Sequence, residues 1–372
     1  MSMMEALDEK TLVNWLTNYL PSVSKSGSDE ALNDFGVNVQ IGADRGDDCA
    51  VIDIGNLVSM VIGTDYVRGP KFHLYEAGYL SDRDIGRYCV TANASDVAAM
   101  GAIAAGFLSV VRYPKDFSGE RFREVLAGID EGCSAYGLRL VGGDTGSAER
   151  LILSGTAFGF CAPGKALVRS SARPGDVVVV TRALGGAGAA VLASSAGVVP
   201  HLDPDKWEVL LGSWKGLNAQ MQAGRALAES GCRIACQDVS DGLRSTVREI
   251  SESSGVGVVL DLSSIPLFDG VEEVARAVSV DTSHSVSPEA LAISASTDFC
   301  LCFTCGPEDY DRVVEELLKV DVVPHVVGVC EDGEGVWVRD DQGEKIAAPG
   351  VEWKHQSGDV ASIVLNGLRS TG

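Results

Sequence analysis

The sequence has no apolar run that reaches the roughly 18 residues of a membrane-spanning helix. Its opening residues, Met1-Ser2-Met3-Met4-Glu5, also lack the basic and apolar regions of a signal peptide. We therefore expect a cytoplasmic protein with no membrane partner. Aromatic residues make up only 6% of the chain, whereas glycine occurs 43 times, and this composition is typical of an α/β protein with small side chains and many tight turns.

Basic residues are also scarce. Lysine and arginine total 30 against 52 aspartates and glutamates, which gives a formal net charge of −22 at pH 7. Because a protein this acidic repels a phosphate backbone, the composition argues against a nucleic-acid partner. An anionic small molecule would have to be bound through metal cations.

Several common catalytic motifs are absent. The chain has no Gly-x-x-x-x-Gly-Lys-Ser/Thr phosphate loop, no protein-kinase signature set and no Gly-x-Ser-x-Gly nucleophile turn. The five histidines are far apart in sequence, which disfavours a zinc site. The ten cysteines are scattered through apolar runs, so we expect free, buried thiols, with Cys300 and Cys302 alternating on one face of a strand.

The length of 372 residues predicts two domains, because single cores seldom grow beyond roughly 250 residues. Apolar spacing predicts an amphipathic helix over 6–20, and further helices over 82–100 and 119–136 between strand-like runs. The turn-rich stretch 162–176 marks a boundary. We expect an N-terminal helix and connection over 1–45, a first domain over 46–165 and a second α/β domain over 166–372.

Aspartates recur where predicted strands run into loops rich in glycine, serine or threonine. Taken singly, each is explained by an Asx turn or a helix cap, and Asp241, which precedes a predicted helix, is the clearest example. Taken together, hard oxygen ligands at rigid strand ends favour a Mg²⁺ site that holds the phosphates of a nucleotide. The four junctions are Gly46-Asp47-Asp48, Gly63-Thr64-Asp65, Gly142-Gly143-Asp144-Thr145 and Asp238-Val239-Ser240-Asp241-Gly242.

Asp96 supports the same interpretation. In the predicted helix over 82–100 it falls in line with Ile85, Cys89 and Ala92, an otherwise apolar stripe at helical spacing. A buried carboxylate is tolerated when it is paired or coordinates a metal. A structural aspartate that is bonded to backbone amides or to an arginine is the alternative explanation.

In this order, these motifs resemble those of the thiamine-monophosphate kinase family, which belongs to a superfamily that includes aminoimidazole-ribonucleotide synthetase. The resemblance runs from about residue 40 to about residue 355. The matching stretches are Gly46-Asp47-Asp48-Cys49-Ala50-Val51, Thr64-Asp65, Asn93-Ala94-Ser95-Asp96 and the residues up to Ala102, Val141-Gly142-Gly143-Asp144-Thr145, and Asp238-Val239-Ser240-Asp241-Gly242-Leu243.

The resemblance implies an α/β (α+β) protein with a two-domain synthetase/kinase-like fold. Its N-terminal sheet domain would form a homodimer with its twin, its C-terminal domain would be mixed α/β, and ATP with Mg²⁺ would bind in the cleft between them. By family analogy, the metal ligands are Asp48, Thr64, Asp65, Asp96, Asp238 and Asp241, of which Asp48, Asp96 and Asp241 act in catalysis, while Gly143, Asp144, Arg169 and Ser240 face the nucleotide.

The acceptor side departs from the family pattern. Where the family shows Gly-x-His-Phe, this chain has His73 after Phe72, and Thr297 stands where the family has a glutamate that touches substrate. Losing that glutamate removes a charged hydrogen-bond acceptor, which leaves a different acceptor open. Trp353 matches the family's aromatic near the C-terminus. The resemblance implies that His73, Thr297 and Trp353 face the substrate.

The leading hypothesis is ATP-dependent phosphorylation of a phosphomonoester, in which thiamine monophosphate becomes thiamine diphosphate. The enzymatic alternative is an ATP-dependent cyclase or dehydratase of the same superfamily that acts on another metabolite. The alternative from another class is a non-catalytic ATP-binding homologue, which the changes at His73 and Thr297 motivate. ATP binding without ADP release would distinguish it from a kinase.

Overall fold

The computed structural model describes residues 36–67, 73–282, 285–294, 296–339 and 343–349. Within these residues the chain forms two β-sheets with helices packed against them, which is the mixed α/β class that the sequence predicts. None of the described helices is both long enough and apolar enough to cross a membrane. The helix predicted over 6–20 lies outside the described residues.

The first sheet has six strands in the order β1-β2-β3-β6-β4-β5. All neighbouring strands are antiparallel except β4 and β5, which are parallel. The strands are Val37–Ile41 (β1), Ala50–Ile54 (β2), Val58–Val67 (β3), Ile103–Tyr113 (β4), Arg139–Ser147 (β5) and Ile152–Cys161 (β6), and the helices between them are His73–Glu76 (α1), Asp82–Ala99 (α2) and Gly119–Tyr136 (α3).

The second sheet has seven strands in the order β13-β12-β9-β11-β7-β10-β8, with β12 and β9 parallel. All ten cysteines are free thiols, and Cys302 and Cys305 lie in buried β10. The strands are Val177–Val180 (β7), Ala235–Asp238 (β8), Gly257–Leu260 (β9), Leu301–Cys305 (β10), His325–Glu331 (β11), Val336–Arg339 (β12) and Lys345–Ala347 (β13). The helices are Gly186–Ser195 (α4), Pro204–Lys215 (α5), Met221–Glu229 (α6), Leu243–Ser254 (α7), Val271–Thr282 (α8), Pro288–Ile293 (α9) and Tyr310–Leu318 (α10).

Helix α2 joins the two halves of the molecule. Its start is fixed by a capping box, in which the Ser81 hydroxyl accepts from the Asp84 N–H and the Asp84 carboxylate accepts from the Ser81 N–H. The helix packs on β3 and β6 of the first sheet and on α6 and β8 of the second half. Because it contacts both sheets, α2 carries its own side chains to the place where the two halves meet.

Glycines let the helices around α2 approach closely. A Cβ added to Gly128 on α3 would lie 2.0 Å from the Arg83 carbonyl oxygen on α2, and one added to Gly224 on α6 would lie 1.9 Å from the Ala98 carbonyl oxygen. Neither backbone could tolerate that contact without moving. The two crossings therefore fix the position of α2 relative to α3 and α6.

In the described part of the chain, helices pack mainly on one face of the first sheet. Alternation along β6 places Ala157 toward α2, where it is fully buried, and Phe158 and Phe160 on the opposite face. On the same face of β4 lie Ile103, which is 54% exposed, and Leu108, which is 39% exposed. The face thus carries exposed apolar side chains.

We predict opposite effects for two helical glycine substitutions. Gly128→Ala should lower the free energy of unfolding by about 1–3 kcal/mol, because the added methyl group overpacks the α2–α3 crossing. Gly212→Ala is the matched control on α5, where an added Cβ meets no atom within 4 Å, and it should raise that energy by about 0.5–1 kcal/mol. Urea denaturation measures both, and equal effects would contradict the packing described.

Candidate active site

Three aspartates converge where α2 meets the two sheets. Asp48 lies in the loop between β1 and β2, Asp96 lies on α2 and Asp238 is the last residue of β8. One carboxylate oxygen from each lies within 4.8 Å of the others. Residues 48, 96 and 238 are far apart in sequence, so the fold itself assembles the group, which we call the carboxylate cluster.

Strand β3 leaves room for this cluster. A Cβ added to Gly63 would lie 2.8 Å from the Cys49 Sγ and 3.6 Å from the Asp96 Oδ2, so any larger residue would intrude on the carboxylates. Buried Asn93 ties β3 to α2, because its Oδ1 accepts from the Asp65 N–H at 2.9 Å and its Nδ2 donates to the Cys89 carbonyl at 2.8 Å. These contacts fix the strand that carries Asp65 beside the helix that carries Asp96.

Arg169 is the cation beside the cluster. It begins a 3₁₀ turn, Arg169–Ser171, and its side chain is 14% exposed. Its Nη2 donates to the Asp48 Oδ1, its Nη1 donates to the Gly46 carbonyl at 2.7 Å, and the same Nη1 lies 3.0 Å from the Glu249 Oε2. Its backbone N–H donates to the Asp47 Oδ2 at 3.2 Å. Arg169 therefore pairs with carboxylates on two sides.

The cluster is electrostatically strained. Burial, and secondarily the neighbouring carboxylates, raise the pKa of Asp96 well above its ordinary range. Burial likewise raises the pKa of Asp48 well above that range, although Arg169 opposes the change. Burial raises the pKa of Asp238 to about 6, against hydrogen bonds that lower it. Among the described residues, the guanidinium of Arg169 does not by itself neutralise the three carboxylates, so a further positive charge would be favourable here.

The cluster fits a divalent cation. The Oδ2 atoms of Asp48 and Asp238 are buried and have no hydrogen-bond partner in the described part of the chain. Buried carboxylate oxygens without partners are costly unless they coordinate a metal. Because the three closest donors are all carboxylate oxygens, the residues present suit a hard ion such as Mg²⁺.

Three more predicted residues lie beside the cluster. Asp65 is close enough to Asp96 to raise the pKa of that carboxyl, and Asp241 raises the pKa of Asp238 in the same way. The Ser240 hydroxyl donates to the Asp238 Oδ1 at 3.1 Å. Helix α7 has Gly242 as its N-cap, so Asp241 stands one residue before the cap position.

Other predicted site residues lie elsewhere in the first sheet. The Thr64 hydroxyl donates to the Gly155 carbonyl at 2.6 Å, and strand alternation places it on the face opposite Asp65. Gly143 and Asp144 lie on β5, three strands from β3, which is about 14 Å at ordinary strand spacing. The Asp144 Oδ2 accepts from the Arg112 Nη2 at 2.5 Å. The described chain does not bring these residues to the cluster.

The predicted acceptor residues are also separate from one another. The His73 Nε2 lies 3.1 Å from the hydroxyls of both Ser194 and Ser195, at the C-terminal end of α4. Thr297 lies at the other end of that helix, since its neighbour Asp298 accepts from the Gly185 N–H at 2.9 Å. A ten-residue helix spans about 15 Å. Trp353 lies outside the described residues.

Two charged residues at the site go beyond the sequence predictions. Asp47 belongs to the same Gly-Asp-Asp run as Asp48, so its neighbour could have indicated it. Glu249 has no such signal, because a glutamate on the exposed side of a helix is usually a solvated charge. The approach of α7 to Arg169 in the folded chain brings Glu249 to the site.

We predict that the metal-free protein loses stability as the pH rises through about 6. Asp238 binds its proton more tightly in the folded than in the unfolded chain, where its pKa is 3.8, so protonation stabilises the fold at low pH and that stabilisation is lost as the pH rises. Thermal unfolding in EDTA between about pH 4 and pH 6.5, the interval that spans the two pKa values, should therefore show a shallower decline for Asp238→Asn than for the wild type. Equal declines would contradict the assignment.

Family models match both halves of the chain. The N-terminal domain of AIR synthase related protein matches residues 46–161, and the C-terminal domain of AIR synthase related protein matches residues 173–341. The first match begins at Gly46 of the Gly46-Asp47-Asp48 run, and the second matched range contains Asp238. Both halves therefore belong to one kind of two-domain protein.

Among the similar proteins are several thiamine-monophosphate kinases. The thiamine-monophosphate kinase of Methanopyrus kandleri is 36% identical over 290 residues, which cover 78% of this chain and 84% of the relative. The solved thiamine-monophosphate kinase from Stenotrophomonas maltophilia K279a is 26% identical, with a TM-score of 0.68 over 83% of this chain and 92% of that one. AaThiL complexed with AMPPCP and TMP shares the fold, with 21% identity and a TM-score of 0.74 over 95% of this chain and 100% of that one. The chain belongs to the thiamine-monophosphate kinase family.

Proposed function

We propose that the protein transfers a phosphoryl group from ATP to thiamine monophosphate, giving thiamine diphosphate and ADP. The observation that carries this proposal is the buried carboxylate cluster, in a chain 36% identical to a thiamine-monophosphate kinase. AaThiL, which shares the fold, is complexed with AMPPCP and TMP. In the reaction, a phosphate oxygen of the acceptor forms a bond to the γ-phosphorus while the bond from that phosphorus to the β-phosphate oxygen breaks.

Asp48, Asp96 and Asp238 are the proposed ligands of Mg²⁺, with Asp65 and Asp241 in supporting positions beside them. When bound, Mg²⁺ would neutralise the charge that develops on the phosphate oxygens during transfer. The three carboxylates are held by a loop, a helix and a strand, so their geometry is set before ligands arrive. Thr64 stays a proposed ligand from the family pattern.

Arg169 is the proposed phosphate contact. Its guanidinium lies at the edge of the cluster, and a planar group with several donors suits phosphate oxygens. Ser240, whose hydroxyl lies on Asp238, is proposed to face the same nucleotide. Gly143 and Asp144 are proposed nucleotide contacts from the family pattern, on the strand that forms the sheet edge.

The acceptor pocket is proposed to involve His73, Thr297 and Trp353. His73 bonds to α4 at Ser194 and Ser195, so a role in substrate binding would require this histidine to change partners or to act by placing α4. Thr297 contributes no charge, and it lies next to Asp298, whose carboxylate accepts from the first residues of α4. Because Thr297 is uncharged, it would suit a substrate whose charge is carried by its phosphate group.

A homodimer is proposed to form through the free face of the first sheet. Ile103, Leu108 and the paired rings of Phe158 and Phe160 give this face an apolar centre. Contiguous exposed apolar surface of this kind marks interaction sites. We further propose a cytoplasmic enzyme whose two domains divide at residues 165 and 166, after an N-terminal segment that ends at residue 45.

We predict that thiamine monophosphate stimulates ADP release from MgATP, with thiamine diphosphate as the product. Asp96→Asn should lower kcat at least about 100-fold, since metal-borne charge stabilisation is worth several kcal/mol. Asp116→Asn, at an exposed carboxylate after β4, is the matched control and should retain wild-type turnover. A coupled ADP assay with product chromatography measures all three proteins.

Two outcomes would contradict these assignments. ATP binding without ADP release for any phosphomonoester would favour a non-catalytic homologue over a kinase. Full activity of Asp96→Asn would remove Asp96 from the metal ligands and leave the kinase activity intact.

We predict that Leu108→Asp converts the dimer to a monomer. A carboxylate at the centre of the apolar face would lose its hydration on association without gaining a partner. Leu318→Asp is the control, because Leu318 is 50% exposed on α10 in the other half of the chain, and it should leave the mass unchanged. Sedimentation equilibrium distinguishes the two states, and a monomeric wild type would contradict the dimer.

A further inference from the structure

Glu249 contacts Arg169 but is not one of the residues of the carboxylate cluster. It is on α7, one carboxylate oxygen lies 3.0 Å from the Arg169 Nη1, and the same oxygen accepts from the Gln237 Nε2 at 2.6 Å. Its other oxygen lies 3.5 Å from the Arg248 Nη2. With partners on both oxygens, the carboxylate is held in one orientation. Its side chain is 31% exposed, against 3% for Asp48.

Arg169 thus contacts carboxylates of two kinds, those of the Asp47-Asp48 loop, where its Nε lies 3.7 Å from the Asp47 Oδ1, and that of Glu249 on α7. Its Nη2 donates to Asp48, which the cluster would offer to Mg²⁺, and its Nη1 contacts Glu249, which is not one of the three clustered carboxylates. A cation at Asp48 and the guanidinium would repel each other at this distance. The metal would take the unpartnered Asp48 Oδ2, and this repulsion would weaken the Nη2 contact to the Oδ1 of the same carboxylate.

The free-energy cost of weakening the contact between Arg169 and Asp48 depends on which other partners the guanidinium retains. A largely buried charge that loses its only carboxylate partner is strongly destabilised. Here Glu249, 3.0 Å from the Nη1, is the nearer carboxylate that remains when the Asp48 contact weakens, with the Gly46 carbonyl at 2.7 Å and Asp47 at 3.7 Å beside it. The arginine can then stay beside the metal, at the position from which it would reach a phosphate.

We propose that Glu249 is a positioning residue that retains Arg169 while Mg²⁺ takes Asp48. This inference rests on the proposed metal site and deepens it. Glu249 contacts Arg169, and through it lowers the free-energy cost of binding the metal. Without metal, the guanidinium of Arg169 pairs with both Asp48 and Glu249. When metal binds, its pair with Asp48 weakens and its pair with Glu249 holds it in place.

The test measures Mg²⁺ affinity by isothermal titration calorimetry without nucleotide. Glu249→Gln keeps the shape of the side chain and should weaken Mg²⁺ binding about 10- to 100-fold. This is the range for loss of an outer-shell partner at a metal site. Glu252→Gln is the matched control, since Glu252 is one turn further along α7 and pairs with Arg248 at 3.5 Å. It removes an equal charge and should change the affinity less than about twofold.

A double-mutant cycle separates positioning from general electrostatics. If Glu249 acts through Arg169, then Glu249→Gln in an Arg169→Met background should have no more effect than Glu252→Gln. An undiminished effect in that background, or equal affinities for Glu249→Gln and Glu252→Gln, would overturn the proposal. The second comparison does not require the Arg169 variant to fold. Failure of the wild type to bind Mg²⁺ would instead contradict the metal site itself.

Discussion

Several carboxylates are packed beside Arg169 at the junction of the two sheets. Asp48, Asp96 and Asp238 sit within 4.8 Å of one another, and burial raises the pKa of each. Such an arrangement is unfavourable unless positive charge accompanies it. Arg169 supplies part of that charge, and a divalent cation would supply the rest. An acidic protein can in this way bind a polyphosphate that its own net charge would repel.

The scaffold holds these charges at fixed positions. Helix α2 contacts both sheets, and the glycine crossings at Gly128 and Gly224 leave its backbone little room to shift. Asn93 then ties β3 to α2 beside Asp96. A rigid support limits how far the carboxylates can move apart when no metal is bound. Their mutual repulsion therefore persists, and a cation that binds between them would relieve it.

Regular patterns made much of this predictable from the sequence. The apolar spacing of helices α2 and α3 predicts both to within a residue, and the acid on the apolar stripe of α2 indicates a special environment for Asp96. Strand β5 is not predictable in the same way, because its Gly142-Gly143-Asp144 stretch has low strand propensity and depends on pairing with β4. The Arg169–Glu249 pair likewise depends on tertiary approach between residues 80 positions apart, which no local pattern encodes.

We propose that the carboxylate cluster binds the metal that holds the nucleotide. Anomalous diffraction from crystals grown with MnCl₂ and a non-hydrolysable ATP analogue tests this proposal, since Mn²⁺ accepts the same oxygen ligands as Mg²⁺. We predict a manganese peak bonded to Asp48, Asp96 and Asp238, with the guanidinium of Arg169 against Glu249 and the phosphates. Nucleotide bound with no metal at these three carboxylates would contradict it.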